Sequence, residues 1–254
     1  MGILNLTPDS FSDGGQFNDL EAALVQARTL VDSGAGMLDL GAESTRPGAA
    51  PVDADTEWSR LEPVVAALKE QLPGLPLSLD TRHAAVAARG LEAGIDVMND
   101  VTGFSDPDML ELARRSDCGL IAMRSRLAGP GFHMPPYDDP SSRDAEKAIA
   151  ELRTIRNRLQ EAGIEDGRVL LDPGFGFGTT FEEDQALWGA LPRLPKALDW
   201  PVERFCIGIS RKRFLAARAG TPGLPPAQRD ALTAIAHAEA SKWGYRVFRT
   251  HALG

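Results

Sequence analysis

The chain has 254 residues, of which 43% are hydrophobic and 25% charged, and its formal net charge is −9. That composition supplies a full apolar core and excludes a disordered chain. The acidic balance argues against a broad nucleic-acid-binding surface, while leaving room for a small basic pocket. Two cysteines, Cys118 and Cys206, are too few for a disulfide framework or a cysteine zinc site and read as buried free thiols. No apolar run has the length of a membrane span and no secretory leader is recognisable, so the expected setting is the cytoplasm.

A first strand at 1–6 runs through Asn5 into Thr7-Pro8-Asp9-Ser10-Phe11-Ser12-Asp13-Gly14-Gly15. That loop is dense in hydroxyls and carboxylates around one aromatic, Phe11, and it sits on a strand end, where α/β proteins place chemistry. A helical period at 20–33 exits at Gly34 into a strand at 37–41, which is followed by Glu43-Ser44-Thr45-Arg46-Pro47-Gly48. A helix at 56–72 precedes a strand at 75–80 ending on Asp80-Thr81. A helix at 83–93 precedes a strand at 97–100 ending on Asn99-Asp100. Next come a helix at 107–115 and a strand at 119–123 that ends on Met123-Arg124. The Gly- and Pro-rich stretch 127–140 is too long for a tight turn and reads as a loop at the mouth of a site. A helix at 142–162 and a strand at 169–172 lead into Asp172-Pro173-Gly174-Phe175-Gly176-Phe177. A helix at 182–198, a strand at 205–209 with Ser210-Arg211-Lys212, a helix at 227–243 and a strand at 245–249 with Thr250-His251 complete the series.

Eight nearly continuous apolar strands alternating with seven helices predict one domain over 1–254, a (β/α)8 TIM barrel rather than an open doubly wound sheet. The sequence stops soon after the eighth strand, so the barrel is expected to lack an eighth helix. In a barrel the strand ends converge on one face. Any one of these polar endings alone reads as a helix cap or a turn residue. Together they sort by charge. Asp80, Asn99 and Asp172 are acceptor-rich and suit the donor edge of a guanidine-like heterocycle, with Lys212 donating to a ring carbonyl or nitrogen. Phe175 and Phe177 in the Gly-rich loop read as walls for a flat ligand. Arg249 and His251 leave one strand face together and, with Arg46 and Asn5, suit a phosphate or pyrophosphate. His83, His133 and His237 are scattered and do not read as a metal cluster. The Gly-rich loop has neither P-loop nor dinucleotide-fingerprint spacing.

With these residues in this order, the chain resembles the dihydropteroate synthases over nearly its whole length. The matching segments are 2–15, 43–48 (ESTRPG), 79–81, 99–101, 172–178 (DPGFGFG), 210–212 and 249–251. The resemblance implies a transferase of folate biosynthesis. It would condense 6-hydroxymethyl-7,8-dihydropterin pyrophosphate with p-aminobenzoate, giving 7,8-dihydropteroate and pyrophosphate by dissociative displacement at the pterin methylene. Carried over residue by residue, it implies that Asp80, Asn99, Met123, Asp172, Phe177 and Lys212 bind the pterin. Asn5, Arg249 and His251 would hold the pyrophosphate, with the cofactor Mg2+ near Asn5. Phe11, Thr45, Arg46 and Pro47 would lie in two loops forming the p-aminobenzoate pocket. Asp80, Asp172, Lys212 and Arg249 would be catalytic. The implied partners are the small-molecule substrates, with no nucleic acid or membrane, and a homodimer is allowed.

The chain departs from the family pattern in places. Met123-Arg124-Ser125 stands where Met-His-Met is usual, Arg213 where a small hydroxyl residue is frequent, and Ala252 where an acidic residue is usual. Two alternative readings follow. A pterin-dependent methyltransferase would share Asp80, Asn99 and Asp172 but needs neither Lys212 nor the Arg249/His251 pair. A non-catalytic pterin-binding paralogue is motivated by Arg124, Arg213 and the missing last helix.

Overall fold

Short runs of Leu, Val and Ile form strands whose alternate residues meet helices on one side and the opposite strands on the other. The computed structural model describes residues 1–7, 15–44, 49–126 and 145–253, with 15–19 as backbone alone. Strands β1 (Gly2–Asn5), β2 (Leu38–Gly41), β3 (Leu77–Asp80), β4 (Val97–Asp100), β5 (Gly119–Met123) and β6 (Val169–Asp172) pair in chain order as one parallel sheet. Strands β7 (Cys206–Ile207) and β8 (Val247–Phe248) pair in parallel with each other. Bridges from Leu171 to Phe205 and from Gly2 to Thr250 join the two sheets. At the second seam Ile3 N donates to Thr250 O at 2.8 Å and Thr250 N to Met1 O at 3.0 Å. The eight strands therefore close into the expected barrel.

Around it lie α1 (Gly15–Asp32), α2 (Ala54–Gln71), α3 (Ala84–Glu92), α4 (Pro107–Arg115), α5 (Ala145–Glu161), α6 (Phe181–Ala190), α7 (Leu194–Leu198), α8 (Arg213–Arg218) and α9 (Asp230–Lys242). Among the described residues no helix follows β8. The helix predicted over 182–198 is broken. Pro192 and Pro195 each lack the amide proton an α-helix needs, and a 3-10 turn at Leu191–Arg193 takes up the change of direction between α6 and α7. The helix α8 was not predicted, because its six residues are too few to show a period. No described helix is long and apolar enough to cross a membrane.

Register decides which side chains enter the barrel. Leu38 and Leu40 join the apolar shell against the helices with Leu61, Val65 and Leu68, so Asp39 and Gly41 turn inward. Parallel pairing then aligns Ile3, Asp39 and Ser78 in one row, and Asn5, Gly41, Asp80 and Asn99 in the row above it. Met123 pairs with Asp172 farther round the sheet. The carboxyl-terminal end of the barrel is thus lined by polar groups, and the apolar layer lies outside it.

Candidate active site

Asp80 closes β3, Asn99 lies one strand away and Asp172 closes β6, so the three groups face a common mouth. Beneath them sits Asp39, fully buried, which accepts from Ser78 Oγ at 2.6 Å and from Asn99 Nδ2 at 3.2 Å. Arg249 crosses from the opposite wall: its Nε donates to Asp39 Oδ2 at 2.6 Å and its Nη2 donates to Asp80 Oδ2. Asp172 Oδ1 accepts from Gly174 N at 2.8 Å. A side chain at Gly208 would bring its Cβ to 3.0 Å from Asp172 Oδ2, so the glycine leaves that oxygen room. Lys212 Nζ lies 3.9 Å from the centre of the Phe177 ring, and Phe177 packs with Met123 and Val101 as a small apolar patch.

Charge in this mouth is poorly solvated. Burial pushes Asp80 up to about 7; Arg249 opposes the shift, and Asp39, Asp100 and Asp172 add to it. Burial likewise lifts Asp172 to about 6, against the Gly174 amide, Arg249 and Lys212. Lys212 falls to about 8 through burial and the neighbouring Arg249, with Asp184, Asp172 and Asp80 resisting. Burial works against the Arg249 charge as well, yet Asp39 and Asp80 hold its pKa above the ordinary value. Three groups thus titrate near neutrality in one mouth, a pattern concentrated at functional sites.

The loop after β6 turns on Gly174, Gly176 and Gly178, all with φ between 71° and 74°. At Gly174 a Cβ would stand 1.7 Å from Arg124 O, so only glycine fits. Asp184 Oδ1 accepts from Gly176 N at 3.1 Å and from Thr179 Oγ1 at 2.8 Å, fixing the loop to α6. The turns carry the two aromatics in different directions. Phe177 faces the mouth, while Phe175 is fully buried and stacks on Phe214 with ring centres 5.6 Å apart. Phe175 is therefore core and not a wall of the site.

On the other rim, His251 N and Nδ1 lie 3.1 and 3.0 Å from Ser210 Oγ. Burial and the cations Arg211, Arg249 and Lys212 lower His251 to about 4, so its ring is neutral at pH 7. Asn5 is exposed at the end of β1. Phe11, Thr45, Arg46 and Pro47 lie outside the described residues. Among the described residues no three His, Cys, Asp or Glu side chains converge as a metal site.

Compared with known proteins, residues 1–251 match the family described as "Pterin binding enzyme". The dihydropteroate synthase of Clostridium beijerinckii is 37% identical over 224 residues, covering 87% of this chain and 77% of that protein. The chain belongs to the dihydropteroate synthases. The dihydropteroate synthase of Mycobacterium leprae is 38% identical, across 99% of this chain and 88% of its own length. The Xanthomonas albilineans dihydropteroate synthase solved with 7,8-dihydropteroate superposes with a TM-score of 0.81 at 34% identity, covering 100% of this chain and 87% of that one.

Two departures from the dihydropteroate synthase pattern find a place in the fold. Arg124 is buried and its Nε donates to Glu151 Oε2 at 2.8 Å, so it adds no free cation to the rim. Arg213 opens α8 and is exposed. Three further acidic groups were not expected from the sequence. Asp39 had a legible signal, a lone carboxylate inside an otherwise apolar strand. Asp184 had none, being one of several acidic residues at the start of a helix.

The third is Glu57 on α2, behind Asp80. It is fully buried, and neither carboxylate oxygen has a well-formed hydrogen bond among the described residues, the Thr81 hydroxyl being its nearest donor in effect. His83 Nε2 lies 3.9 Å from it and 3.7 Å from Glu43. Burial, reinforced by Glu43 and Asp80 and opposed by Thr81 and Arg82, raises Glu57 to about 8. Its folded pKa lies above its unfolded value, so the folded form keeps a proton that the unfolded chain has lost. Stability from this group is full below pH 4.5 and declines as pH rises toward 8, at roughly 1–1.5 kcal/mol per pH unit. Glu57→Gln cannot ionise. Chemical denaturation from pH 5 to 9 is expected to show the variant gaining on the parent as pH rises; parallel curves would refute the buried proton.

Proposed function

We propose that this chain condenses 6-hydroxymethyl-7,8-dihydropterin pyrophosphate with p-aminobenzoate, yielding 7,8-dihydropteroate and pyrophosphate for folate biosynthesis. The observation that carries the reading is the meeting of a carboxylate and amide floor, Asp80, Asn99 and Asp172, with the cations Arg249 and Lys212 in one barrel mouth. A pterin ring offers a guanidine-like donor edge and ring acceptors, which this set complements. Met123, Val101 and Phe177 offer it an apolar face. No corresponding use for the Arg249 and Lys212 pair exists in a methyl transfer to a corrinoid.

Arg249 does two jobs in this reading. It neutralises Asp39 and Asp80. Once the ring donors occupy Asp80, the outer guanidinium nitrogens are released to the pyrophosphate while Nε stays on Asp39. The methylene C–O bond then breaks, its electron pair leaving with the pyrophosphate, and Arg249 stabilises the charge that develops there. Neutral His251 adds a ring N–H to the same anion. The positive charge left on the pterin methylene is buffered by Asp80 and Asp172. The aniline nitrogen attacks that carbon and its surplus proton passes to solvent. No side-chain nucleophile takes part.

The proposed cofactor is Mg2+. The side-chain oxygen of Asn5, exposed at the mouth, is a hard donor of the kind this ion accepts alongside phosphate oxygens and water. When bound, the ion would supply further neutralisation of the leaving group. We assign Phe11, Thr45, Arg46 and Pro47 to the p-aminobenzoate pocket on the family resemblance. We also read residues 1–254 as one domain working in the cytoplasm, where its two free thiols stay reduced. The homodimer allowed by the resemblance is checked by sedimentation.

The test is direct. Purified protein incubated with the pterin pyrophosphate, p-aminobenzoate and Mg2+ should release pyrophosphate and dihydropteroate in equal amounts. Pterin binding without pyrophosphate release would replace this reading with the non-catalytic one.

A further inference from the structure

The loop that follows Asp172 and carries Phe177 into the mouth is held from outside by a charged network centred on Arg124. Arg124 is 3% exposed. Its Nε donates to Glu151 Oε2 at 2.8 Å, and its Nη1 donates to the Pro173 carbonyl at 3.0 Å. Its backbone continues the ladder, Arg124 N donating to Asp172 O at 2.9 Å, and its carbonyl packs against Gly174. Two residues on, Arg126 N donates to Phe177 O at 3.1 Å. The Arg126 side chain reaches the other oxygen of Glu151 at 3.2 Å and also Glu183. Glu183 in turn completes the capping box of α6 with Thr180. Two guanidinium groups and two carboxylates thus balance while tying β5, α5 and α6 to one loop.

Among the described residues, the polar contacts of this network run to the loop backbone at Pro173 and Phe177 and to Glu151 and Glu183 on the flanking helices. A buried arginine fork with both ends bonded has one geometry, so it transmits that geometry to the carbonyl it holds. Pro173 has no amide proton of its own, and its carbonyl is gripped one residue from Asp172. We infer that Arg124, anchored by Glu151, is a positioning residue for the pterin ring, fixing the loop whose Gly174 amide orients the Asp172 carboxylate and which presents Phe177. The inference rests on the pterin reading of the mouth but not on turnover.

The experiment is a pair of titrations on the full chain, with 6-hydroxymethylpterin followed by fluorescence and inorganic pyrophosphate by calorimetry. Arg124→Met keeps length and apolar bulk but removes both hydrogen bonds. It is expected to weaken the pterin about tenfold and to leave pyrophosphate within about twofold. Arg124→Lys, which keeps a charged donor, should recover most of the loss. Equal weakening of both ligands would mean a merely structural ion pair, and unchanged pterin affinity would remove the role altogether. Should Arg124→Met fail to fold, Glu151→Gln decides. The Glu151 side chain is 31% exposed and the substitution is isosteric. A selective loss of pterin affinity supports the inference, while no loss or a uniform one overturns it. Wild-type turnover, measured in parallel, tests the proposed function separately. A wild-type chain that binds no pterin defeats both.

Discussion

Arg249→Ala is expected to lower turnover about a thousandfold while leaving affinity for a bare pterin within about fivefold when measured near pH 8. The first figure follows from the chemistry. A positioned guanidinium on a departing phosphate ester is worth about three orders of magnitude or more in comparable transfers. The second depends on the carboxylates beneath it. Without the guanidinium, Asp39 and Asp80 lose their shared partner, and stripping one member from a buried charge pair costs on the order of 3–5 kcal/mol. Asp80 can escape part of that cost by holding a proton, since it already stands at about 7 and loses the group that lowers it. Lys212, at about 8, also moves up, because Arg249 is one of the causes of its depression. The window in which Asp80 is ionised and Lys212 charged therefore shifts upward as a whole, and pterin affinity near pH 8 survives. The ring donors can then take the place of the missing guanidinium on Asp80. Stability of the empty variant should fall, and pterin should restore more of it than in the parent. If turnover and pterin affinity fall together at every pH, Arg249 organises the pocket and does not act on the leaving group.

How much of this was readable beforehand follows from the range over which each interaction acts. The eight strands were legible because parallel strands buried on both faces need unbroken apolar runs, and their polar ends mark the mouth. Asp80, Asn99, Asp172 and Arg249 were legible for the same reason, lying at or beside strand ends, and Lys212 was legible in the turn that follows β7. What the chain could not announce were pairings across the barrel. Arg249 reads in sequence as an anion ligand, and only closure of β8 onto β1 sets it against Asp39 and Asp80, 210 and 169 residues away. The direction of Phe175 was equally hidden. Between two glycines with positive φ an aromatic can turn to either side, and the space beside Phe214 and Trp188 decides. Arg124 looked like a stray cation at the rim because its partner Glu151 lies on a helix 27 residues on. The break between α6 and α7 was different. Pro192 and Pro195 were in plain view, and the apolar period merely ran across them.

The other large effect is expected at Asp172. The parent enzyme's kcat/KM for the pterin pyrophosphate should follow a bell, rising as Asp172 and Asp80 lose protons near 6 and 7 and falling as Lys212 loses its own near 8. Because these groups interact, the limbs belong to the set and not to single residues. In Asp172→Asn the amide must keep its oxygen where Gly174 N donates, at 2.8 Å in the parent. Its NH2 is then forced into the place of Oδ2, beside Gly208 and facing the ligand. There a ring donor meets a donor. Leaving such a group unpaired in a buried site is worth about a hundredfold or more in affinity. The residual activity carries a second signature. The Asp172 charge raises both Asp80 and Lys212, so removing it lowers both. The acid and alkaline limbs should therefore move down together, whereas Arg249→Ala moves them up together. A profile recorded from pH 5 to 9.5 separates the two cases. Limbs that stay in place in Asp172→Asn would mean that Asp172 does not share a field with Asp80 and Lys212, and the assignment of these three groups to one ligand would fall.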